Sequence, residues 1–86
     1  MVPIMMPQVG QDIPSATVVE WRKREHESVQ EGEVVVVVES EKAVFDVEAD
    51  VSGVLLRIVH QAGEEVPILT PIGYIGQAGE DIGDEP

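Results

Sequence analysis

Apart from 17 carboxylates, two threonines and one tyrosine, the side chains able to act as nucleophiles, general bases or metal ligands are few. There are two lysines (Lys23, Lys42), two histidines (His26, His60), four serines (Ser15, Ser28, Ser40, Ser52) and no cysteine. The histidines lie far apart without metal-ligand spacing, so turn or surface roles suit them. The serines lack a triad context. Without cysteine there is no disulfide framework, thiolate metal site or redox dithiol, and any redox chemistry must come from a cofactor. Lysine amines remain. Lys23 sits in the basic run Arg22-Lys23-Arg24, whereas Lys42 stands among Glu39, Glu41, Asp46 and Glu48. Acylation of such an amine would remove its charge and leave a long arm.

The elements around Lys42 must hold it in place. Upstream, Val34 to Val38 is apolar throughout, which suits a strand covered on both faces or one whose outward valines lie against a loop. Downstream, Phe45, Val47 and Ala49 alternate with Asp46, Glu48 and Asp50, the period of a half-buried strand. Between them Glu39-Ser40-Glu41-Lys42 is short and polar, as a hairpin connection requires. Lys42 is therefore expected at or beside an exposed turn. Two readings stay open at this point: a solvated lysine relieving carboxylate repulsion, or an amine presented in one geometry to a modifying ligase.

Elsewhere Gly10, Pro14, Gly32, Gly53, Gly63, Pro67, Pro71, Gly73 and Gly76 cut the chain into pieces too short for a comfortable helix. Hydrophobic residues make up 43% of the 86, mostly Val and Ile, with one Trp, one Tyr and one Phe. This diet favours pleated surfaces, and the expected fold is all-β. Strands are expected at residues 16–21 and 54–59, with Trp21 in core or half-core packing and Met5-Met6 in strand packing. A shift of 37 residues lays Val18 on Leu55, Trp21 on Ile58, Glu27 on Glu64, Val29 on Val66 and Val38 on Ile75, an internal repeat. It also lays His26 on Gly63, so His26 is expected at positive φ, where His is among the tolerated types. Residues 77–86 carry no apolar pattern and read as an acidic linker or free tail.

Charge narrows the partners. With 17 acids against 5 bases the formal net charge is −12, which disfavours nucleic acid and anionic lipid and favours basic protein surfaces. No apolar stretch approaches a membrane span, and the N-terminus has no basic region before its apolar residues. A cytoplasmic setting is the expectation.

A family resemblance connects these features. Glu39-Ser40-Glu41-Lys42-Ala43 resembles the lipoylation motif, commonly Glu-Thr-Asp-Lys-Ala, of biotinyl/lipoyl domains from 2-oxo acid dehydrogenase complexes. Met6-Pro7-Gln8-Val9-Gly10 resembles the opening of those domains, and residues 16–21 their next strand. Glu31-Gly32-Glu33, Gly53 and Gly63-Glu64-Glu65-Val66 match further positions, so the likeness runs in order over about residues 4–76. Ser40 and Glu41 stand where the family often has Thr and Asp, and His26 where it has glycine. Biotin carboxyl carriers are similar in fold but flank their lysine with methionine, unlike Glu41 and Ala43 here.

The resemblance implies a flattened barrel-sandwich of two four-stranded antiparallel sheets with quasi-twofold symmetry. The carrier domain would span residues 1–76, with the lysine hairpin at one end and the termini at the other. It implies lipoic acid in amide linkage to Lys42, attached by a lipoate ligase or lipoyl transferase reading Glu39, Ser40, Glu41 and Ala43. The domain itself would be non-catalytic, within a dihydrolipoamide acyltransferase. Tethering would serve a thiamin-dependent decarboxylase, an acyltransferase core and dihydrolipoamide dehydrogenase in turn. Met1 so close to the first motif suggests a natural N-terminus, and the linker-like end suggests that more chain follows. The compartment implied is the bacterial cytoplasm, or the mitochondrial matrix in a eukaryote. The alternatives are a biotin carboxyl carrier and an unmodified β-barrel binding module.

Overall fold

Short β-branched runs between glycine and proline breaks form strands throughout. The computed structural model describes residues 1–77. Its strands are β1 (Val2–Met5), β2 (Ser15–Trp21), β3 (Ser28–Val29), β4 (Val34–Glu39), β5 (Val44–Glu48), β6 (Gly53–Ile58), β7 (Glu65–Pro67) and β8 (Pro71–Gly76). They make two four-stranded antiparallel sheets, ordered β1-β8-β6-β3 and β5-β4-β2-β7. The expected all-β, two-sheet architecture is the one observed.

Position in the sheet explains the valine run. β4 is interior, between β5 and β2, so its backbone is paired on both sides. Val35, Val36 and Val38 are fully enclosed, and Val37 is buried as well. Each such valine contributes about 1.5–3 kcal/mol relative to exposure. With Val18, Val29, Leu55, Val66, Ile72 and Ile75, the three enclosed valines Val35, Val36 and Val38 form one core, against which Trp21 is half-buried. The methionine pair divides: Met6 is completely enclosed just past β1, whereas Met5 is 38% exposed on it.

The internal repeat is a structural twofold. In one half Val18 pairs with Val38 and Glu20 with Val37 across a bulge; in the other Leu55 pairs with Ile75 and Arg57 with Tyr74 across the same bulge. Bonds crossing between the halves are matched, His26 N–H to Leu55 O (2.6 Å) with Gly63 N–H to Val18 O (2.7 Å), and so are bonds within each half, Arg22 N–H to Val35 O (2.8 Å) with Val59 N–H to Ile72 O (2.9 Å). His26 takes φ 74° where Gly63 takes 95°, as the repeat predicts. A glutamate closes each of these turns, Glu27 accepting from Arg24 N–H and Glu64 from Gln61 N–H, both at 2.9 Å.

Register also fixes the two ends. Thr17 pairs with Glu39, and Ser15 with Pro67, so turn 67–70 and the end of β4 lie together. Val2 pairs with Ile75 at the far end of β8, which places the first strand's start and the end of β8 opposite. The expected tail lies, beyond Gln77, outside the described residues.

Candidate functional site

β4 and β5 are joined by residues 40–43. Glu39 still belongs to β4, paired with Val44, so the turn begins one residue later than the polar stretch suggested. Ser40 is the turn's anchor. It is only 8% exposed, the one buried polar side chain among the described residues. Its Oγ accepts the N–H groups of Lys42 and Ala43, each at 3.2 Å, and its own N–H donates to Ala43 O at 2.8 Å. A serine oxygen thus closes the loop, the local competition with backbone pairing that favours Ser in turns.

Lys42 follows from that closure. It is exposed at the third position of the turn, and among the described residues its amine has no ion-pair partner. Glu39 and Glu41 are exposed beside it, and Val44 is 59% exposed just past the turn. An exposed amine without an ion pair is what both a solvated lysine and one presented to a ligase would show. Lys23, by contrast, is tied to Glu33 at 2.8 Å, and Arg22 to Glu20 at 3.5 Å. The hydrogen bond that Lys23 donates to Glu33 raises the Lys23 pKa above the ordinary lysine value, and the same bond, with that from Gln30 N–H, lowers the pKa of Glu33.

The turn borders an open cleft. Ile13, Pro14 and Ala16 line it, with Glu39, Glu41 and Glu65 around them. Ser15 Oγ donates to Glu65 Oε2 at 2.6 Å, bracing the β2–β7 side. Reading the sequence missed Ile13, Pro14 and Glu65 as neighbours of the lysine turn. It also missed Leu69, which adopts φ 63° at the same end of the molecule. A signal for Leu69 existed, because the 37-residue shift lays it on Gly32.

A family profile described as biotin-requiring enzyme, covering biotin and lipoyl attachment domains, matches residues 2–75. The chain belongs to this biotinyl/lipoyl domain family. A relative from Bacillus subtilis, the dihydrolipoyllysine-residue acetyltransferase component of an acetoin cleaving system, is 37% identical over 84 residues, 98% of this chain and 21% of that protein. An Arabidopsis thaliana relative, component 4 of a chloroplastic pyruvate dehydrogenase complex, is 39% identical over 79 residues, 92% of this chain and 16% of that one. The chain therefore spans about a fifth or less of these relatives. The solved lipoyl domain of the 2-oxoglutarate dehydrogenase complex from Azotobacter vinelandii superposes with a TM-score of 0.75 at 30% identity, covering 90% of this chain and 98% of that one. Lipoyl domains of this family carry lipoic acid covalently on a lysine. Lys42 fits that requirement by its exposure, its unpaired amine and its place on a turn held from within.

Proposed function

We propose that Lys42 is the lipoyl-bearing residue, and that the domain is the swinging-arm carrier of a 2-oxo acid or acetoin dehydrogenase acyltransferase. The observation that carries this reading is the Ser40-closed turn, which holds the Lys42 backbone while its amine stays free of the surrounding carboxylates. A lipoyl group in amide linkage to Nζ would supply a strained cyclic disulfide able to take up an acyl group and two reducing equivalents. The chain's own contribution is presentation. β4 and β5 support the turn, Ser40 fixes its geometry, and Glu39 and Glu41 offer a lipoate ligase or lipoyl transferase a charged rim.

The partners that follow are a thiamin-dependent decarboxylase, an acyltransferase core and dihydrolipoamide dehydrogenase. The parent would act in the bacterial cytoplasm or the mitochondrial matrix. Tethering raises the effective concentration of the arm at each partner. Intact-mass measurement after incubation with a lipoate ligase and lipoate tests the assignment. A single lipoyl increment on the parent, absent from Lys42→Arg, is expected. No increment, where a control lipoyl domain is fully modified, sinks the reading, and an increment with a biotin ligase instead would make the domain a biotin carrier.

A further inference from the structure

Turns 30–33 and 67–70 are the same structure made twice. Gly32 N–H donates to Ala49 O (2.9 Å) and Ala49 N–H to Glu33 O (2.9 Å); Leu69 N–H donates to Met6 O (2.7 Å) and Met6 N–H to Thr70 O (2.8 Å). The third residue is left-handed in both, φ 87° at Gly32 and 63° at Leu69. Glycine is the residue this backbone favours, and a bulky side chain is an outlier there. Leu69 is moreover 62% exposed, the most exposed large hydrophobic among the described residues. Backbone and solvent thus both disfavour leucine, and its side chain is too exposed to be an anchor of the core.

Its surroundings indicate what it meets. Ile68 N–H donates to Pro14 O at 3.0 Å, tying the turn to the loop before β2. Ile13, Pro14 and Ile68 line one shallow depression, and the first two also line the cleft beside Lys42. Through Ile68 and Pro14, the turn that carries Leu69 therefore adjoins the cleft beside Lys42, which Glu39, Glu41 and Glu65 edge.

The geometry points to Leu69 as the apolar anchor of the surface that docks on the enzyme loading the arm, seated in an apolar pocket with basic side chains facing the three glutamates. This rests on the carrier reading of Lys42. A left-handed leucine is tolerated on this turn because its exposed side chain is used by the partner while Lys42 enters the partner's active site.

The test uses the domain lipoylated with lipoate ligase and the thiamin-dependent components of a pyruvate dehydrogenase complex and of an acetoin-cleaving system, each with its own substrate. Leu69→Gly and Leu69→Asn are compared with Leu69→Met and with Val2→Ser, a change to an exposed hydrophobic at the opposite end. Expected are unchanged lipoylation, a Tm for Leu69→Gly no lower than the parent's, and a loss of about tenfold in kcat/KM for reductive acylation, carried by KM, matching about 1.4 kcal/mol. Leu69→Met should stay within about threefold, because it keeps an apolar side chain of similar size, and Val2→Ser should match the parent. Equal loading of Leu69→Gly and the parent overturns the proposal, as does a marked fall in Tm for Leu69→Gly. A lipoylated parent accepted by neither component overturns the docking partner. A parent that gains no lipoyl mass overturns the carrier reading, and the proposal with it.

Discussion

The two halves of the chain share one backbone plan and differ in where each places glycine. The first half has Gly32 in a turn but Ala16 and Val36 in its strands; the second has Leu69 in the matching turn but Gly53 and Gly73 in the matching strands. The left-handed turns can use glycine for φ, and one half does without it. The strand glycines serve a different need, close approach. A Cβ on Gly53 would lie 2.5 Å from Gly76 O, and one on Gly73 would lie 2.9 Å from Trp21 Cη2 and 3.0 Å from Arg57 O. The β6–β8 sheet is thus the tighter of the two, although its register copies that of β2–β4.

The largest effect follows at Gly53. The obstructing atom is backbone, which cannot rotate away, so Gly53→Ala should cost about 1–3 kcal/mol as overpacking. The reciprocal change, Ala16→Gly, should cost only about 0.5–1 kcal/mol beyond a small loss of packing. Urea unfolding of both variants measures the difference. If the two costs are equal, the halves are equally tight and the comparison fails. Gly73→Ala should come next. Part of its clash is with the rim of an indole anchored by Nε1–H to His60 O at 2.8 Å. Trp21→Leu should therefore recover part of the Gly73→Ala loss, a favourable coupling of about 0.5–1 kcal/mol in a double-mutant cycle. Strict additivity would mean that the indole does not set the spacing.

The two ends differ as well. Only at one end is the strand pair closed by a described turn, residues 40–43; the matching positions at the other are the separate ends of β8 and β1. That closure rests on Ser40. Ser40→Ala removes an acceptor for two amides and should cost about 1 kcal/mol. Amide exchange at Lys42 and Ala43 should quicken while exchange in β8 stays slow. If exchange at those two amides is unchanged, the turn is held by strand pairing alone.

Much of this could be seen in the residues. A polar tetrapeptide between an apolar run and an alternating one marked the lysine turn, and a fixed shift anticipated both the twofold and the left-handed His26. Other parts were not legible for physical reasons. β3 and β7 have two and three residues, too few for a period to show. Ser40 is a residue type usually exposed, and its burial comes with the turn that its own hydroxyl closes. Met5 and Met6 are identical side chains that the end of β1 sends to different fates. Leu69 reads locally as one more apolar residue; only its counterpart Gly32 betrays the backbone it must adopt.

The smallest effects separate the halves by charge. Lys23 in the first half corresponds to His60 in the second, and each meets a glutamate, Glu33 and Glu64, at 2.8 Å. The partner's hydrogen bond, followed by a backbone N–H, holds each carboxyl below its ordinary range. A carboxyl with a lowered folded pKa contributes stability above its unfolded value of about 4.3, and that contribution is lost as pH falls through the folded value. Tm should therefore fall below about pH 4.5, less steeply in Glu33→Gln and Glu64→Gln than in the parent. Lys23 adds a second signature. Its raised folded pKa gives stability that is complete below about pH 10.4 and disappears as pH rises through the folded value. Glu33→Gln should thus flatten the alkaline limb of the Tm profile, whereas Glu64→Gln should leave that limb as in the parent. If both variants flatten it alike, the alkaline loss belongs to the net charge of the whole chain rather than to the Lys23–Glu33 contact.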